Sequence, residues 1–90
     1  MRFEWDADKA GSNERKHGIS FAEGITVFDD ARAITIADPL HSIEEDRYID
    51  IGYSSRGRLL VIVYTQRAAR VRMISCRKAT NAERMIYEGR

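Results

Sequence analysis

The run "LLVIVY", from Leu59 to Tyr64, constrains the fold of this chain more than any other stretch. Side chains of an extended strand alternate between the two faces of a sheet, so an unbroken apolar run places hydrophobic groups on both faces. The run is also far too short to span a membrane. It therefore predicts a central, buried strand of a sheet.

Alternating patterns predict further strands before and after this run. They are "RFEW" at 2–5, "ARAITIAD" at 31–38, "RYIDIGYS" at 47–54 and "RVRMISCRK" at 70–78. Short turns such as "SRGR" separate the later strands, which is typical of consecutive antiparallel pairs. The sequence thus predicts a small antiparallel sheet, made of a four-stranded meander plus a short N-terminal strand.

Three segments have helix signals. Asp6 and Gly18 bracket the first as N-cap and C′ residues, and a Ser or Thr three residues before a Glu opens the other two, at 20–30 and 80–88. Ala82, Met85 and Ile86 are expected to form the apolar face of the last helix. The prediction is a single α+β domain over residues 1–90, with two N-terminal helices, one C-terminal helix and the helices packed on one face.

The charges of the chain are unevenly distributed. Residues 1–55 carry 6 Lys and Arg against 12 Asp and Glu, whereas residues 56–90 carry 9 against 2. A basic region of this kind suggests a phosphate-bearing or acidic partner. Charged strand edges that prevent aggregation would give the same composition, and charge alone does not decide between the two.

Several classes of site are unsupported by the sequence. A lone cysteine cannot form an internal disulfide, one Cys with two distant His gives no zinc pattern, and the isolated glycines form no phosphate loop. His41, Glu44, Glu45 and Asp46 could attract a divalent cation, but a solvated loop is favoured. The N-terminus lacks an apolar leader, so we expect a cytoplasmic protein without metal, cofactor or membrane contact.

The first predicted helix has a polar stripe. Lys9, Asn13, Lys16 and His17 fall on one face, and the other side offers only two alanines and a glycine. Since so little apolar area contributes little stability, we expect this helix to be held mainly at its ends. The stripe suits an anion, and His17 can exchange a proton near neutral pH. The alternative is a solvated face stabilised by the helix dipole.

Three stretches together resemble the BrnT family of toxins from bacterial type II toxin–antitoxin systems, and the resemblance covers nearly the whole chain. They are "FEWDADKAGSNERKHGISFAEGITVFDD", "EEDRYIDIGYSSRGRLLVIVYTQR" and "VRMISCRKATNAERMIYE". Within them the motifs are W-D-x-x-K-x-x-x-N-x-x-K-H-G, R-x-x-x-I-G and I-S-x-R-K-A-T. Gly24 and Cys76 depart from the family pattern, because alanine-like residues are expected there.

The resemblance implies a RelE-like fold and a metal-independent ribonuclease that inhibits translation. It also implies a BrnA-like antitoxin with a ribbon-helix-helix segment. That antitoxin would neutralise the toxin in a hetero-oligomer and would supply any contact with DNA.

Metal-free RNA cleavage needs a base for the 2′-hydroxyl, an acid for the 5′-oxygen and cations for the phosphorane. We therefore expect a groove between the first helix and the sheet, with catalytic residues Lys16, His17, Arg67 and Arg77. Residues expected to contact RNA are Lys9, Asn13, Arg47, Arg72 and Lys78, and Tyr53 or Tyr64 could stack a base. A non-catalytic RNA- or protein-binding module and a metal-dependent nuclease using the acidic loop remain alternatives.

Overall fold

A computed structural model describes residues 1–38 and 46–89 of the chain. Within them, five strands form one sheet in the order β1-β5-β4-β3-β2. The strands are β1 (Arg2–Glu4), β2 (Ile34–Ala37), β3 (Arg47–Tyr53), β4 (Leu59–Arg67) and β5 (Arg70–Lys78). The helices are α1 (Ala7–His17), α2 (Phe21–Gly24), a 3₁₀ helix (Ile25–Asp29) and α3 (Asn81–Glu88).

The sheet is mixed, so the prediction of a wholly antiparallel sheet is wrong at one edge. The last four strands form the expected antiparallel meander. β1, however, pairs with β5 in parallel, and the N–H of Arg2 donates to the carbonyl of Ala69 at 2.9 Å. Periodicity predicts that a segment is extended, but it carries no information about which strand it joins or in which direction.

β4 is central and apolar on both sides, as predicted. Its inner face packs under α1, α2 and the 3₁₀ helix, in a core formed by Ile19, Phe21, Val27, Leu60, Ile62, Tyr64, Val71, Met73 and Cys76. The outer face carries a smaller cluster of Ile51, Leu59, Val61 and Tyr87, the last from α3. The expectation that all helices share one face is therefore wrong, since α3 covers part of the outer face.

A β-bulge changes which face the side chains of β5 occupy. Val63 of β4 lies opposite Ser75, but its neighbour Tyr64 lies opposite Met73, so Ile74 is an extra residue. An extra residue shifts the alternation by one. Arg70 and Arg72 before the bulge, and Ser75 and Arg77 after it, consequently all belong to the outer face.

The hairpin between β4 and β5 has a two-residue turn. Arg67 pairs directly with Arg70 across it, and Ala68 adopts a φ of 52°. A left-handed residue that is not glycine costs on the order of 1 kcal/mol, so this tight turn is locally strained. The turn places two arginines side by side on the outer face.

The predicted caps of α1 are confirmed. The carboxylate of Asp6 accepts from the N–H groups of Asp8 and Lys9 at 2.8 and 3.2 Å, and Gly18 ends the helix at a φ of 73°. Before the helix, the Trp5 ring packs edge-on against Phe21, with 5.9 Å between ring centroids. The helix is therefore fixed at its start, as expected.

The segment predicted as one helix at 20–30 is divided into α2 and the 3₁₀ helix. Ser20 accepts from the N–H of Glu23 at 3.0 Å, but the Glu23 carboxylate does not complete the capping box. It accepts instead from the Ser54 hydroxyl at 2.7 Å and forms an ion pair with Arg58, which lowers the pKa of Glu23. A buried carboxylate is stabilised more by an arginine than by one backbone N–H.

The predicted apolar face of α3 is wrong, although its capping box is present. Met85 is 72% exposed and Ile86 57% exposed, and Ala82 is exposed as well. The helix is held instead by Tyr87, whose hydroxyl donates to Asp30 at 2.8 Å, and by Glu83, whose carboxylate accepts from Arg77. Helical spacing identified a stripe but not which side of the helix meets the sheet.

Candidate functional site

α1 lies along the edge of β5 that faces away from β4, and the two elements enclose a shallow, open depression of about 230 Å³. β1 pairs with residues 70–72 of β5, so the edge beyond Arg72 is left to the helix. The depression is lined by Lys9, Ser12, Asn13, Lys16, His17, Ile74 and Ser75. The structure thus brings together the four residues of the predicted polar stripe and adds three that the sequence reasoning missed.

Asn13 pins the middle of α1 to this edge. It is buried, and its amide nitrogen donates to the carbonyls of Cys76 and Ile19 at 2.8 and 3.1 Å. Its amide oxygen accepts from the N–H of Cys76 at 3.1 Å. The helix, which was expected to be held mainly at its ends, is therefore also anchored at its middle. The polar atoms of Asn13 are all hydrogen-bonded within the protein. Its role in this geometry is therefore to position α1 against β5.

A second, larger depression of about 620 Å³ lies on the outer face. Its lining residues are Glu4, Thr65, Arg67, Arg70 and Arg72. The strand registers explain why these side chains meet, because residues directly opposite each other share one face. One row across the sheet is Arg2, Arg70 and Arg67, and the next is Glu4, Arg72, Thr65 and Arg47.

We call the residues Arg2, Arg47, Arg67, Arg70 and Arg72 the arginine surface. Three of them, Arg47, Arg67 and Arg72, are predicted site residues. Arg2 and Arg70 were missed, although a signal for Arg70 exists in the sequence. A two-residue turn between Arg67 and Arg70 would place them opposite each other.

The two depressions lie next to each other along β5. Arg72 lines one, and Ile74 and Ser75 line the other, so two to three residues separate them, or about 7–10 Å. The pKa of Asp6, at the start of α1, depends on charged residues of both depressions. Its pKa is lowered chiefly by the N–H groups of Lys9 and Asp8, and further by the charges of Lys9 and Arg72.

The structure does not bring Arg77 or Lys78 into either depression, among the residues it describes. Arg77 donates to both carboxylate oxygens of Glu83, each at 2.8 Å, and this pair lowers the pKa of Glu83 to about 2. Lys78 is exposed at the end of β5, opposite Leu60 and hence on the inner face. The expected groove between Lys16 and His17 on one side and Arg67 and Arg77 on the other is thus not formed as a single cleft.

The two tyrosines considered for base stacking are engaged in packing. Tyr64 is buried in the inner core and donates to the carboxylate of Asp50 at 2.8 Å, and burial raises the pKa of both groups. Tyr53 packs edge-on against Tyr87 and accepts from Arg84 at 3.1 Å. Neither ring lines the α1 depression or the depression on the outer face.

The acidic loop considered as a cation site lies mostly outside the described residues. This holds for His41, Glu44 and Glu45, whereas Asp46 is exposed at the start of β3. Among residues 1–38 and 46–89, no three His, Cys, Asp or Glu side chains are grouped as metal ligands would be. In the same residues, no helix has the length and apolar character needed to cross a membrane.

Comparison with known proteins identifies the family. Residues 5–83 match the family model described as the ribonuclease toxin BrnT of type II toxin–antitoxin systems. The chain belongs to the BrnT toxin family. The match extends from Trp5 to Glu83, so it includes the whole α1 depression of this BrnT toxin and all but Glu4 of the residues that line the second depression.

The BrnT fold is also found in a solved structure. The crystal structure of the Brucella abortus ribonuclease toxin BrnT is similar, with a TM-score of 0.71 over 90% of this chain and 99% of that one. The sequences are 23% identical, so this likeness concerns the fold. A search of curated proteins found no match. The finer description of the fold as RelE-like stays a prediction.

Proposed function

We propose that this BrnT toxin cleaves RNA in the α1 depression without a metal ion and thereby inhibits translation. The observation that carries the proposal is that His17 lines one open depression together with two lysines, Lys9 and Lys16. An imidazole, the side chain most often used for proton transfer, therefore lies beside two positive charges. Those are the components that phosphodiester cleavage by general acid–base catalysis requires.

In the proposed reaction, the 2′-oxygen of a ribose attacks the neighbouring phosphorus and the bond from phosphorus to the 5′-oxygen breaks. The 2′-hydroxyl loses a proton, and the leaving 5′-oxygen gains one. His17 accepts the proton of the 2′-hydroxyl and gives it to the leaving 5′-oxygen. Lys9 and Lys16 bind the non-bridging oxygens and stabilise their additional negative charge. The products are a 2′,3′-cyclic phosphate and a 5′-hydroxyl.

The local structure of α1 suits this role. Lys16 and His17 occupy its last turn, where the helix dipole favours positive charge. Asn13 fixes the helix against β5 one turn earlier, and Gly18 ends it immediately afterwards. The reacting groups therefore lie on a short, anchored helix end, which limits the motion that would otherwise reduce catalysis.

Arginines of the sheet are proposed to bind the RNA backbone beside this site. Arg67 and Arg72 line the adjacent depression, and Arg47 belongs to the same face. Arg77 has a different role in this geometry, because both arms of its guanidinium bind Glu83 and hold α3 to the sheet. Lys78 likewise projects from the opposite face of the sheet, away from the arginine surface.

A type II toxin has a protein antitoxin, and we propose a BrnA-like antitoxin with a ribbon-helix-helix segment as the partner of this chain. The proposed complex is a hetero-oligomer in the cytoplasm, and its contact with DNA comes from the antitoxin. The excess of basic residues in 56–90 supports an acidic partner surface.

Incubation of the purified chain with single-stranded RNA in excess EDTA tests the proposed reaction. We expect fragments that accumulate with time and carry 2′,3′-cyclic phosphate ends. Loss of all cleavage on adding EDTA would instead favour a metal-dependent nuclease that uses the acidic loop. RNA binding without fragments in either condition would favour the binding module.

A further inference from the structure

The arginine surface concentrates like charges that do not stabilise the sheet. Arg2, Arg70 and Arg67 lie directly opposite one another on three adjacent strands, about 5 Å apart. Like charges in such cross-strand positions destabilise a sheet. Neither Arg70 nor Arg72 forms an ion pair or a side-chain hydrogen bond with residues 1–38 or 46–89. Arg72 has carboxylates near it, with Glu4 opposite and Asp6 close enough for its pKa to be lowered, whereas Arg70 lies between two arginines.

We propose that the arginine surface is a second phosphate-binding subsite, which holds the backbone of single-stranded RNA beyond the phosphate that is cleaved. This inference rests on the function proposed for the α1 depression and specifies its substrate. The substrate is an RNA strand of several nucleotides, and a dinucleotide would reach only the α1 depression.

The geometry of β5 supports a continuous path for such a strand. Arg70 and Arg72 are two residues apart on one face, or about 7 Å, and Ser75 of the α1 depression follows about 10 Å further on. These steps are comparable to the spacing of successive phosphates in an extended nucleic-acid strand. One strand of the sheet therefore offers consecutive contacts from the arginine surface to the proposed site of cleavage.

The chemistry of the surface also favours a phosphate backbone. A guanidinium group binds two phosphate oxygens at once, and the depression is open enough, at about 620 Å³, for a sugar and its phosphate. Glu4 lies opposite Arg72 and partly offsets its charge. Arg70, which lies opposite two arginines and no carboxylate, is consequently the residue of this surface best placed to bind a phosphate.

The test measures binding of 2′-O-methyl RNA, which lacks the attacking hydroxyl and cannot be cleaved. Oligonucleotides of about four and about twelve nucleotides are compared by fluorescence anisotropy, with the full chain and two variants. Arg70→Ala removes the centre of the row. Arg56→Ala is the matched control, because its side chain is 73% exposed and its ion-pair partner, Glu23, lies on the inner side of the sheet.

We expect Arg70→Ala to weaken binding of the longer RNA about five-fold or more, with little effect on the shorter one. The slope of log affinity against log salt concentration should become shallower by about 0.7, the value for one lost contact with a single strand. Arg56→Ala should stay within about two-fold of the unchanged chain for both lengths. Thermal melting of each sample verifies that the variants are folded.

Three results would overturn the inference: no binding of the longer RNA, equal weakening by both variants, or unchanged affinity in Arg70→Ala. In the last case, loss of binding to a purified antitoxin by Arg70→Ala would assign the surface to the protein partner. Binding requires no turnover, so tight binding through Arg70 without any cleavage of ordinary RNA would refute only the proposed ribonuclease function.

Discussion

The side-chain amide of Asn13 pairs with the backbone of Cys76 as a neighbouring strand would, through hydrogen bonds of 2.8 and 3.1 Å. β1 ends before this point, so the amide satisfies edge groups of β5 that would otherwise be buried without a partner. A single side chain therefore sets the separation of α1 from β5. It also sets the width of the depression between them.

Replacing Asn13 should destabilise the fold. Asn13→Ala leaves the N–H and carbonyl of Cys76 and the carbonyl of Ile19 without their partner, and we expect a loss of about 2–4 kcal/mol in the free energy of unfolding. Urea unfolding followed by circular dichroism measures it. Ser12→Ala, one residue earlier and exposed, is the control and should change stability by less than about 0.5 kcal/mol. An Asn13→Ala chain as stable as the control would contradict the anchoring role.

His17 should matter for activity far more than for folding. His17→Ala should lower the rate of RNA cleavage by about 100-fold or more, the usual effect of losing a general acid or base. Its free energy of unfolding should change by no more than about 1 kcal/mol, because the side chain is only partly buried and gains mainly from the helix dipole.

Arg15→Ala is a matched control for His17, since Arg15 is also a basic residue of the last turn but does not line the depression. Melting and cleavage should be measured on the same samples. A folded and fully active His17→Ala chain would remove His17 from the mechanism.

Gly24 and Cys76, the two departures from the family pattern, touch each other. A Cβ at position 24 would lie 2.8 Å from the Cys76 sulfur, too close for an ordinary contact. Gly24→Ala should therefore cost about 1–3 kcal/mol of stability by overpacking. Adding Cys76→Ala removes the sulfur, so the double variant should be more stable than the sum of the single effects predicts, by at least about 0.5 kcal/mol.

A urea-unfolding cycle of the four chains measures this coupling. Gly11→Ala is a useful comparison, because its new methyl group would meet only the flexible Arg15 side chain at 3.3 Å. It should stabilise α1 by up to about 1 kcal/mol. Strict additivity of the Gly24 and Cys76 changes would show that the sulfur does not limit the space at position 24.

The ion pair between Arg77 and Glu83 should make stability depend on pH. Because the guanidinium lowers the pKa of Glu83 from 4.5 to about 2, the pair stabilises the fold above about pH 4.5. This contribution is lost as the pH falls from 4.5 towards 2. Glu83→Gln should therefore be less stable than the unchanged chain at pH 7, by about 1 kcal/mol after allowing for the partial exposure of Arg77.

The measurement is the difference in melting temperature between the two chains across this pH range. It should shrink to near zero in strong acid, when Glu83 is protonated in both states of the unchanged chain. Glu88→Gln, which removes an exposed partner of Arg84 at 3.6 Å, should show little difference at any pH. A pH-independent deficit for Glu83→Gln would mean that packing, and not charge, accounts for its effect.

Local signals in the sequence were sufficient for the elements that depend on local physics. Helix ends could be predicted from Asp6, Gly18 and Thr80, because capping bonds form within a few residues. The apolar run of β4 could be predicted as buried, because its side chains must be shielded from water on both faces of the sheet. The inward turn of Asn13 could not be predicted in this way. Its partner Cys76 is distant in sequence, so a polar residue on a polar stripe looked solvent-exposed.

The same distinction explains the errors at the other positions. The face of α3 depends on Asp30 and Arg77, and neither is visible from the spacing of Met85 and Ile86. The bulge, by contrast, leaves a trace in the sequence. Met73 and Ile74 are adjacent apolar residues that interrupt the alternation of β5, and such an interruption is typical of an extra residue in a strand.

The bulge that accommodates Ile74 decides which side chains of β5 face outwards. If β5 alternated strictly through Ile74, without a bulge, Ser75 and Arg77 would turn towards the inner core while Arg70 and Arg72 stayed outside. Closing the bulge with Ile74 still in the strand would thus bring a cationic side chain into contact with hydrocarbon or break the pairing with β4. The basic side of the molecule is therefore encoded by the position of the bulge as much as by the arginines themselves.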